Sequence, residues 1–312
     1  MNVLVLTKGT PAHYAMLRQA VPEAAFHFTS APTPEEIAQA EVIFGNPAPA
    51  LLARAGRLRL LQLETAGANP YLGGVLPAPV PLCNAAGAYG PAIAEHLLAM
   101  LLSLYKRLPA YGENQRARLW RDEGTVRTVE GSVTLVVGLG DIGGNFARRL
   151  HALGGKVVGV KRTPGDCPAY LDGLYPLGRL DALLPDADAV ALCLPSTPKT
   201  RGLFGPERLE RLKDGAVLLN AGRGDAVDSD ALDACLRRGK LGGAGLDVTA
   251  PEPLPSNHPL WGAPNLLITP HVSGGHHAAG TVDRIFQIAA GNLRALAEGR
   301  PLSHLVDREE GY

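Results

Sequence analysis

Short apolar runs alternate with segments of three-to-four-residue apolar period along almost the whole chain. In the first third, residues 3–6, 25–28, 42–44, 60–63 and 80–83 read as buried strands, and residues 12–20, 34–39 and 49–55 as the helices between them. Strands that are apolar throughout, joined by helices, imply a parallel sheet covered on both faces. Residues 91–108 form a longer apolar helical stretch, with Pro91 suited to its first turn and Pro109 expected to stop it. A polar stretch, 112–131, leads to a second strand series at 134–137, 156–160, 189–194, 216–220, 244–248 and 266–269. The last periodic segment, 278–298, reads as one amphipathic helix closed by Gly299-Arg300-Pro301. The expected fold class is therefore α/β, with two doubly wound parallel-sheet domains joined near residues 90–95.

Composition narrows the function without naming it. The 312 residues suffice for two domains, and 46% hydrophobic with 19% charged residues is a globular balance. Acidic and basic residues cancel, and no basic stripe interleaved with aromatics is present, so nucleic acid is not the expected ligand. The apolar run at 3–6 is too short for a signal-peptide core. The stretch at 97–104 contains Ser103 and soon meets Lys106 and Arg107, short of the ~20 apolar residues of a membrane span. Cys83, Cys167, Cys193 and Cys235 are scattered and form no CxxC pair, which suits a cytoplasmic, reduced protein. No metal-ligand spacing stands out.

The strand at 134–137 runs directly into Gly138-Leu139-Gly140-Asp141-Ile142-Gly143, and residues 145–153 then read as a helix. At such a strand-to-helix turn each glycine has a physical task. The first permits the tight turn, the second lets a pyrophosphate approach the backbone, and the third lets helix and strand pack closely. The helix N-terminus supplies free N–H groups and a positive dipole end for the phosphates. The expectation is a dinucleotide cofactor. The carboxylate that usually receives the adenine ribose should end the next strand, but that strand runs into Lys161-Arg162-Thr163. Two cations there suit a 2′-phosphate, so NADP(H) is expected to be preferred over NAD(H).

Ligands of an open parallel sheet bind beyond the carboxyl ends of its strands. After 216–220 comes Arg223, after 244–248 comes Glu252, and after 266–269 comes His271. Singly these read as a helix-terminus charge, a loop carboxylate and a satisfied histidine. Together, on three successive strand ends, they suit reduction of a 2-keto acid. Arginine offers a bidentate fork to a carboxylate or keto oxygen. Histidine can deliver a proton as hydride arrives, and a glutamate would hold its imidazole in one tautomer.

The strings Asn220 to Asp228, Gly245 to Leu254, Thr269 to Val272, Leu192 to Thr200 and Ala94 to Leu97, with the glycine turn, resemble the D-isomer-specific 2-hydroxyacid dehydrogenase family, in the family's order and over essentially the whole chain. The resemblance implies a Rossmann dinucleotide-binding domain at 95–274 and a flavodoxin-like substrate domain at 1–94 and 275–312. It implies Arg223 as the residue that binds and polarises substrate, and His271 as general acid/base with Glu252 as partner. Asp247 would lie near the nicotinamide amide. Leu194, Pro195, Thr200, Ala221, Gly222 and Gly274 would line the cofactor cleft. Ala66 and Gly67 would offer backbone N–H groups to the substrate carboxylate, with Asn46 and Asn84 facing the same cleft. The apolar helix at 91–108 would serve a homodimer interface.

The resemblance is specific for the family and open on substrate: glyoxylate, hydroxypyruvate or a branched 2-ketocarboxylate all suit it. Glu252 argues against formate oxidation, and the chain's end soon after the closing helix argues against a phosphoglycerate dehydrogenase with a regulatory domain. Phosphite oxidation stays compatible with the three residues. A reading of another class, a nucleotide-sensing corepressor-like binding protein of the same fold, would call for an extra tail or charged arm. His276 and His277 are read as surface or pocket residues.

Overall fold

The computed structural model describes residues 1–275, 278–309 and 311; His276 and His277 lie outside the described residues. The chain divides into two compact units, one formed by residues 1–89 with 276–312 and the other by residues 90–275.

The first unit contains β1 (Asn2–Val5), α1 (Pro11–Ala20), β2 (Ala25–Phe28), α2 (Pro34–Gln39), β3 (Val42–Phe44), β4 (Leu60–Gln62) and β5 (Leu82–Cys83). The second contains α3 (Gly90–Tyr105), α4 (Leu108–Arg116), β6 (Val133–Val137), α5 (Asp141–Ala152), β7 (Lys156–Lys161), β8 (Gly173–Pro176), α6 (Leu180–Leu183), β9 (Ala189–Leu192), α7 (Pro206–Arg211), β10 (Ala216–Asn220), α8 (Ser229–Arg237), β11 (Leu241–Leu246) and β12 (Leu266–Ile268). The chain then returns to the first unit with α9 (Ala279–Ala297).

Among the described residues the first unit holds a five-stranded parallel sheet ordered β2-β1-β3-β4-β5, which is flavodoxin-like. The second holds a seven-stranded parallel sheet ordered β12-β11-β10-β9-β6-β7-β8, the Rossmann order. Its order reverses between β9 and β6, and the glycine turn follows β6 at that switch point.

Alternate strand residues point to opposite faces, so each sheet needs two cores. In the first unit Leu4, Ile43 and Leu61 pack with Ile37, Tyr71 and Leu76. On the other face Val3, Val5, Phe44 and Leu60 pack with Leu17 of α1 and with Ile285, Phe286 and Leu293 of α9. The returning helix is also held by polar contacts. His13 Nε2 meets Asp283 Oδ1 at 2.8 Å, and the buried Asn292 donates from Nδ2 to Gln62 Oε1 of β4 at 2.7 Å.

Two local expectations change. The apolar helix ends at Tyr105 rather than 108, and Arg107 takes a left-handed φ of 55°. Pro109 then lies in the first turn of α4 instead of stopping its predecessor, because a first-turn residue needs no N–H partner. The edge strand β8, GLYP, carries no apolar alternation and had no sequence signal.

Candidate active site

The glycine turn is built by close approaches. Gly138 has a φ of 97°, and a Cβ there would stand 2.5 Å from Cys193 O. A Cβ on Gly143 would stand 1.9 Å from Gly138 O, so only glycine lets α5 pack on the turn. A Cβ on Gly140 would meet nothing within 4 Å. The middle glycine thus faces open space at the N-terminus of α5, as a backbone that receives a pyrophosphate should. Leu139 packs on β7, where it fills the space above Gly159. The Asp141 carboxylate is committed within the protein: Oδ2 accepts from Gly90 N at 2.7 Å and Oδ1 from Asn145 Nδ2 at 3.0 Å. Ile142 is half-buried beside it. Lys161, Arg162 and Thr163 are all exposed at the carboxyl end of β7, the strand next to β6.

Beyond β9, the segment from Leu194 forms a turn fastened by Thr200, whose hydroxyl donates to Pro195 O at 2.6 Å and accepts from Thr197 N at 2.8 Å. Ser196 Oγ donates to Asp225 Oδ2 at 2.5 Å, linking this turn to the one after β10. There Ala221 is buried, and a Cβ on Gly222 would stand 2.6 Å from Leu194 O.

The carboxyl ends of β10, β11 and β12, adjacent in the sheet, present the three chemical side chains. Asn220, the last residue of β10, shapes the first loop: its Oδ1 accepts from Gly222 N at 3.0 Å and its Nδ2 donates to Arg223 O at 2.9 Å. Arg223 Nη1 donates to Gly222 O at 2.7 Å. Burial pushes the Arg223 guanidinium below its ordinary range, opposed by the negative charges of Glu252 and Asp225. After β11, Glu252 Oε1 accepts from Thr249 N at 2.9 Å while Oε2 accepts from His271 Nδ1 at 3.0 Å. The carboxylate is thus fixed at one oxygen and orients the imidazole with the other. The His271 side chain is half exposed. Its backbone is left-handed, with φ of 53°, a conformation that a non-glycine residue holds only where its surroundings impose it.

Asp247, one residue past β11, is buried at 1% exposure. Its Oδ1 accepts from Thr269 Oγ1 at 2.6 Å and Val272 N at 3.0 Å, and its Oδ2 accepts from Ser273 N at 3.2 Å and from Ser273 Oγ. Gly274 follows, buried.

In the first unit the turn after β4 is braced from both sides. Asn46 accepts from Glu64 N at 3.1 Å and donates to Thr65 Oγ1 at 3.0 Å. Asn84, 5% exposed, donates to Ala66 O at 2.9 Å and accepts from Ala86 N at 3.1 Å. Both amides hold the turn itself. The N–H groups of Ala66 and Gly67 have no hydrogen-bond partner among the described residues, and both residues are half exposed.

Sequence reasoning left four contributors without a role: Asn220, Thr249, Thr269 and His96. Each acts through a contact that pairs distant or unremarkable positions. No group of three or more metal-ligating side chains occurs among the described residues.

The family profile described as "D-isomer specific 2-hydroxyacid dehydrogenase, NAD binding domain" matches residues 98–273. The chain belongs to the D-isomer specific 2-hydroxyacid dehydrogenase family. It is accordingly an oxidoreductase, and the second unit is its NAD(P)-binding domain. A family member from Aeromonas salmonicida superposes on the dehydrogenase with a TM-score of 0.88 and 36% identity, covering 98% of this chain and 99% of that one. The Xanthobacter autotrophicus enzyme, solved in complex with NADPH and MES, gives a TM-score of 0.86 at 30% identity, covering 100% and 99%. Glyoxylate/hydroxypyruvate reductase B of Yersinia enterocolitica is 30% identical over 310 residues, 93% of this chain and 95% of that protein. The chain spans about half the length (51%) of the mycobacterial D-3-phosphoglycerate dehydrogenases it matches at 36% identity. No helix among the described residues is long and apolar enough to cross a membrane.

Proposed function

We propose that this dehydrogenase interconverts small 2-keto acids and D-2-hydroxy acids, with NADP(H) preferred over NAD(H). The observation that carries the reading is the 3.0 Å hydrogen bond between His271 Nδ1 and Glu252 Oε2, beside Arg223 on the neighbouring strand end. A reduced nicotinamide, when bound, supplies the hydride for the keto carbon. Glu252 accepts only, so His271 carries its hydrogen on Nδ1 and leaves Nε2 for the substrate. The imidazolium gives its Nε2 proton to the keto oxygen and retains the hydrogen bond to Glu252 as a neutral ring. Arg223 supplies a fixed cation for the carboxylate or the developing oxyanion, strengthened by its burial. Among the described residues the N–H groups of Ala66 and Gly67 have no hydrogen-bond partner, which supports reading them as donors to a substrate carboxylate.

Two exposed cations at the end of β7, in place of a carboxylate, support the NADP(H) preference, as does the NADPH-bound relative. The apolar α3, and Leu108, Leu119 and Trp120 exposed at 53%, 51% and 106%, support a homodimer, and four free cysteines suit a cytoplasmic enzyme.

The test is a spectrophotometric screen of NADPH and NADH oxidation with glyoxylate, hydroxypyruvate, pyruvate, phenylpyruvate and 2-ketoisocaproate. At least one 2-keto acid should be reduced, with higher kcat/KM for NADPH. His271→Ala should lower kcat by about 10²–10⁴-fold, the range of general acid catalysis, while NADPH still binds. Near-wild-type turnover by that variant would refute the assignment.

A further inference from the structure

His96 lies on α3 and takes no part in the chemistry above, yet its ring is tied to it. Nε2 stands 3.0 Å from Thr269 Oγ1 and 3.9 Å from Asp247 Oδ1. The Thr269 hydroxyl has one hydrogen, and that hydrogen goes to Asp247 Oδ1 at 2.6 Å. The oxygen therefore offers only lone pairs to the ring, so His96 must carry a hydrogen on Nε2 and donate it. The order is fixed: His96 donates to Thr269, and Thr269 donates to Asp247.

Asp247 in turn is what the 271–273 turn hangs on. Its carboxylate accepts from the N–H groups of Val272 and Ser273, at 3.0 and 3.2 Å, and its main-chain oxygen accepts from His271 N at 2.8 Å. Without the His96 N–H on its oxygen, the Thr269 hydroxyl is free to rotate off Asp247, and a carboxylate at 1% exposure that lost this donor would be undersatisfied and would turn toward another. That rotation would move the two N–H groups on which the left-handed conformation of His271 depends. Glu95, next to His96, does not compete for the ring, because it pairs with Arg149 Nη2 of α5 at 3.1 Å.

We propose that His96 is a positioning residue for His271. Acting through Thr269 and Asp247, it holds the 271–273 turn in the one conformation that sets the imidazole against Glu252. This rests on His271 being the proton donor of 2-keto acid reduction.

The test combines kinetics with histidine-ring NMR on the full-length enzyme. His96→Leu removes the donor and Thr269→Val removes the relay, whereas His96→Gln keeps an N–H near Nε2 and Thr269→Ser keeps the hydroxyl. Each of the first pair should lower kcat about 10-fold, His96→Leu with Tm near wild type and Thr269→Val with a lower Tm because it strips a donor from the buried Asp247, and the double variant should have a kcat no worse than the poorer single one, since coupled members of one network are non-additive. The second pair should recover kcat to within about threefold. The His271 ring resonances, assigned by their loss in His271→Ala, should shift in His96→Leu and return in His96→Gln. Unchanged kcat in His96→Leu, additive losses in the double variant, or unmoved His271 resonances would each overturn the proposal. If one leucine variant failed to fold, the valine variant would carry the same comparison. If wild type reduced no 2-keto acid, the proposed function would fall, and the His271 resonances alone would decide the relay.

Discussion

Gly140 and Gly143 lie three residues apart in one turn, and the structure separates their tasks. A methyl at Gly143 would stand 1.9 Å from Gly138 O, about 1.5 Å closer than ordinary contact. The oxygen is backbone and a Cβ has no torsion of its own, so neither can swing away, and α5 would have to lift from β6. Overpacking of this kind costs about 1–3 kcal/mol, which for a unit of this size lowers Tm by roughly 2–12 °C. A methyl at Gly140 would meet no atom within 4 Å and has an ordinary extended backbone, with φ of −80°. Gly140→Ala should therefore lower the Tm of the cofactor-free protein only slightly, by the roughly 0.5 kcal/mol that alanine loses to glycine at a helix N-cap. The same methyl would stand where phosphate must approach, so NADPH Kd should rise at least about 10-fold, or 1.4 kcal/mol. Thermal unfolding by circular dichroism without cofactor, and fluorescence titration with NADPH, read the two effects separately. A Gly143→Ala protein as stable as wild type, or a Gly140→Ala protein that binds NADPH normally, would refute the division of labour.

Three further outcomes follow from named contacts. Lys161→Ala combined with Arg162→Ala should weaken NADPH by about 10–100-fold, as expected for two lost charge-assisted contacts, and barely alter NADH; equal effects in binding titrations would remove the 2′-phosphate assignment. Burial pushes the Cys83 thiol up to about 11 and Cys193 to about 12, and raises Cys235, while Cys167 is exposed. Brief iodoacetamide treatment of native protein at pH 8 should thus label Cys167 first by peptide mass mapping, and equally fast labelling of the half-buried Cys193 would count against its raised thiol. Burial tends to raise the Asp188 carboxyl, but the 2.7 Å hydrogen bond from Lys213 and that from Val133 N hold it below the usual range. Its folded pKa is depressed, so its contribution is present above the unfolded value and is lost as pH falls through the folded one. Asp188→Asn should flatten the acid limb of a stability–pH profile and lower stability near neutrality, and an unchanged limb would contradict this.

The strands were legible because those of a parallel sheet are apolar on both faces, and the turns after them because chemistry collects at carboxyl ends. Gly138 to Gly143, Arg223, Glu252 and His271 could all be placed by strand–turn–helix punctuation alone. What stayed hidden depends on pairings remote in sequence. Nothing around His96 points to Thr269, and nothing around Asp141 points to the Gly90 N–H that its carboxylate receives. Asn46 and Asn84 stand at strand ends, where a ligand contact is the natural reading, and their amides also brace the 64–67 turn. Pro109 misled for a local reason: proline ends one helix and begins another by the same missing N–H, and only the left-handed Arg107 shows which applies.

The cover of the first sheet has a consequence for how the protein is made. Ile285, Phe286 and Leu293 close a core whose other side is Val3, Val5 and Phe44. On a ribosome that first segment emerges with a wall missing, whereas residues 90–275 are contiguous and can fold as they appear. At about 5–20 residues per second, the opening strands wait roughly 10–40 s for their last helix. In that interval their apolar face is open to chaperones or to other chains, so the order of synthesis leaves the early segment the more aggregation-prone part of the molecule.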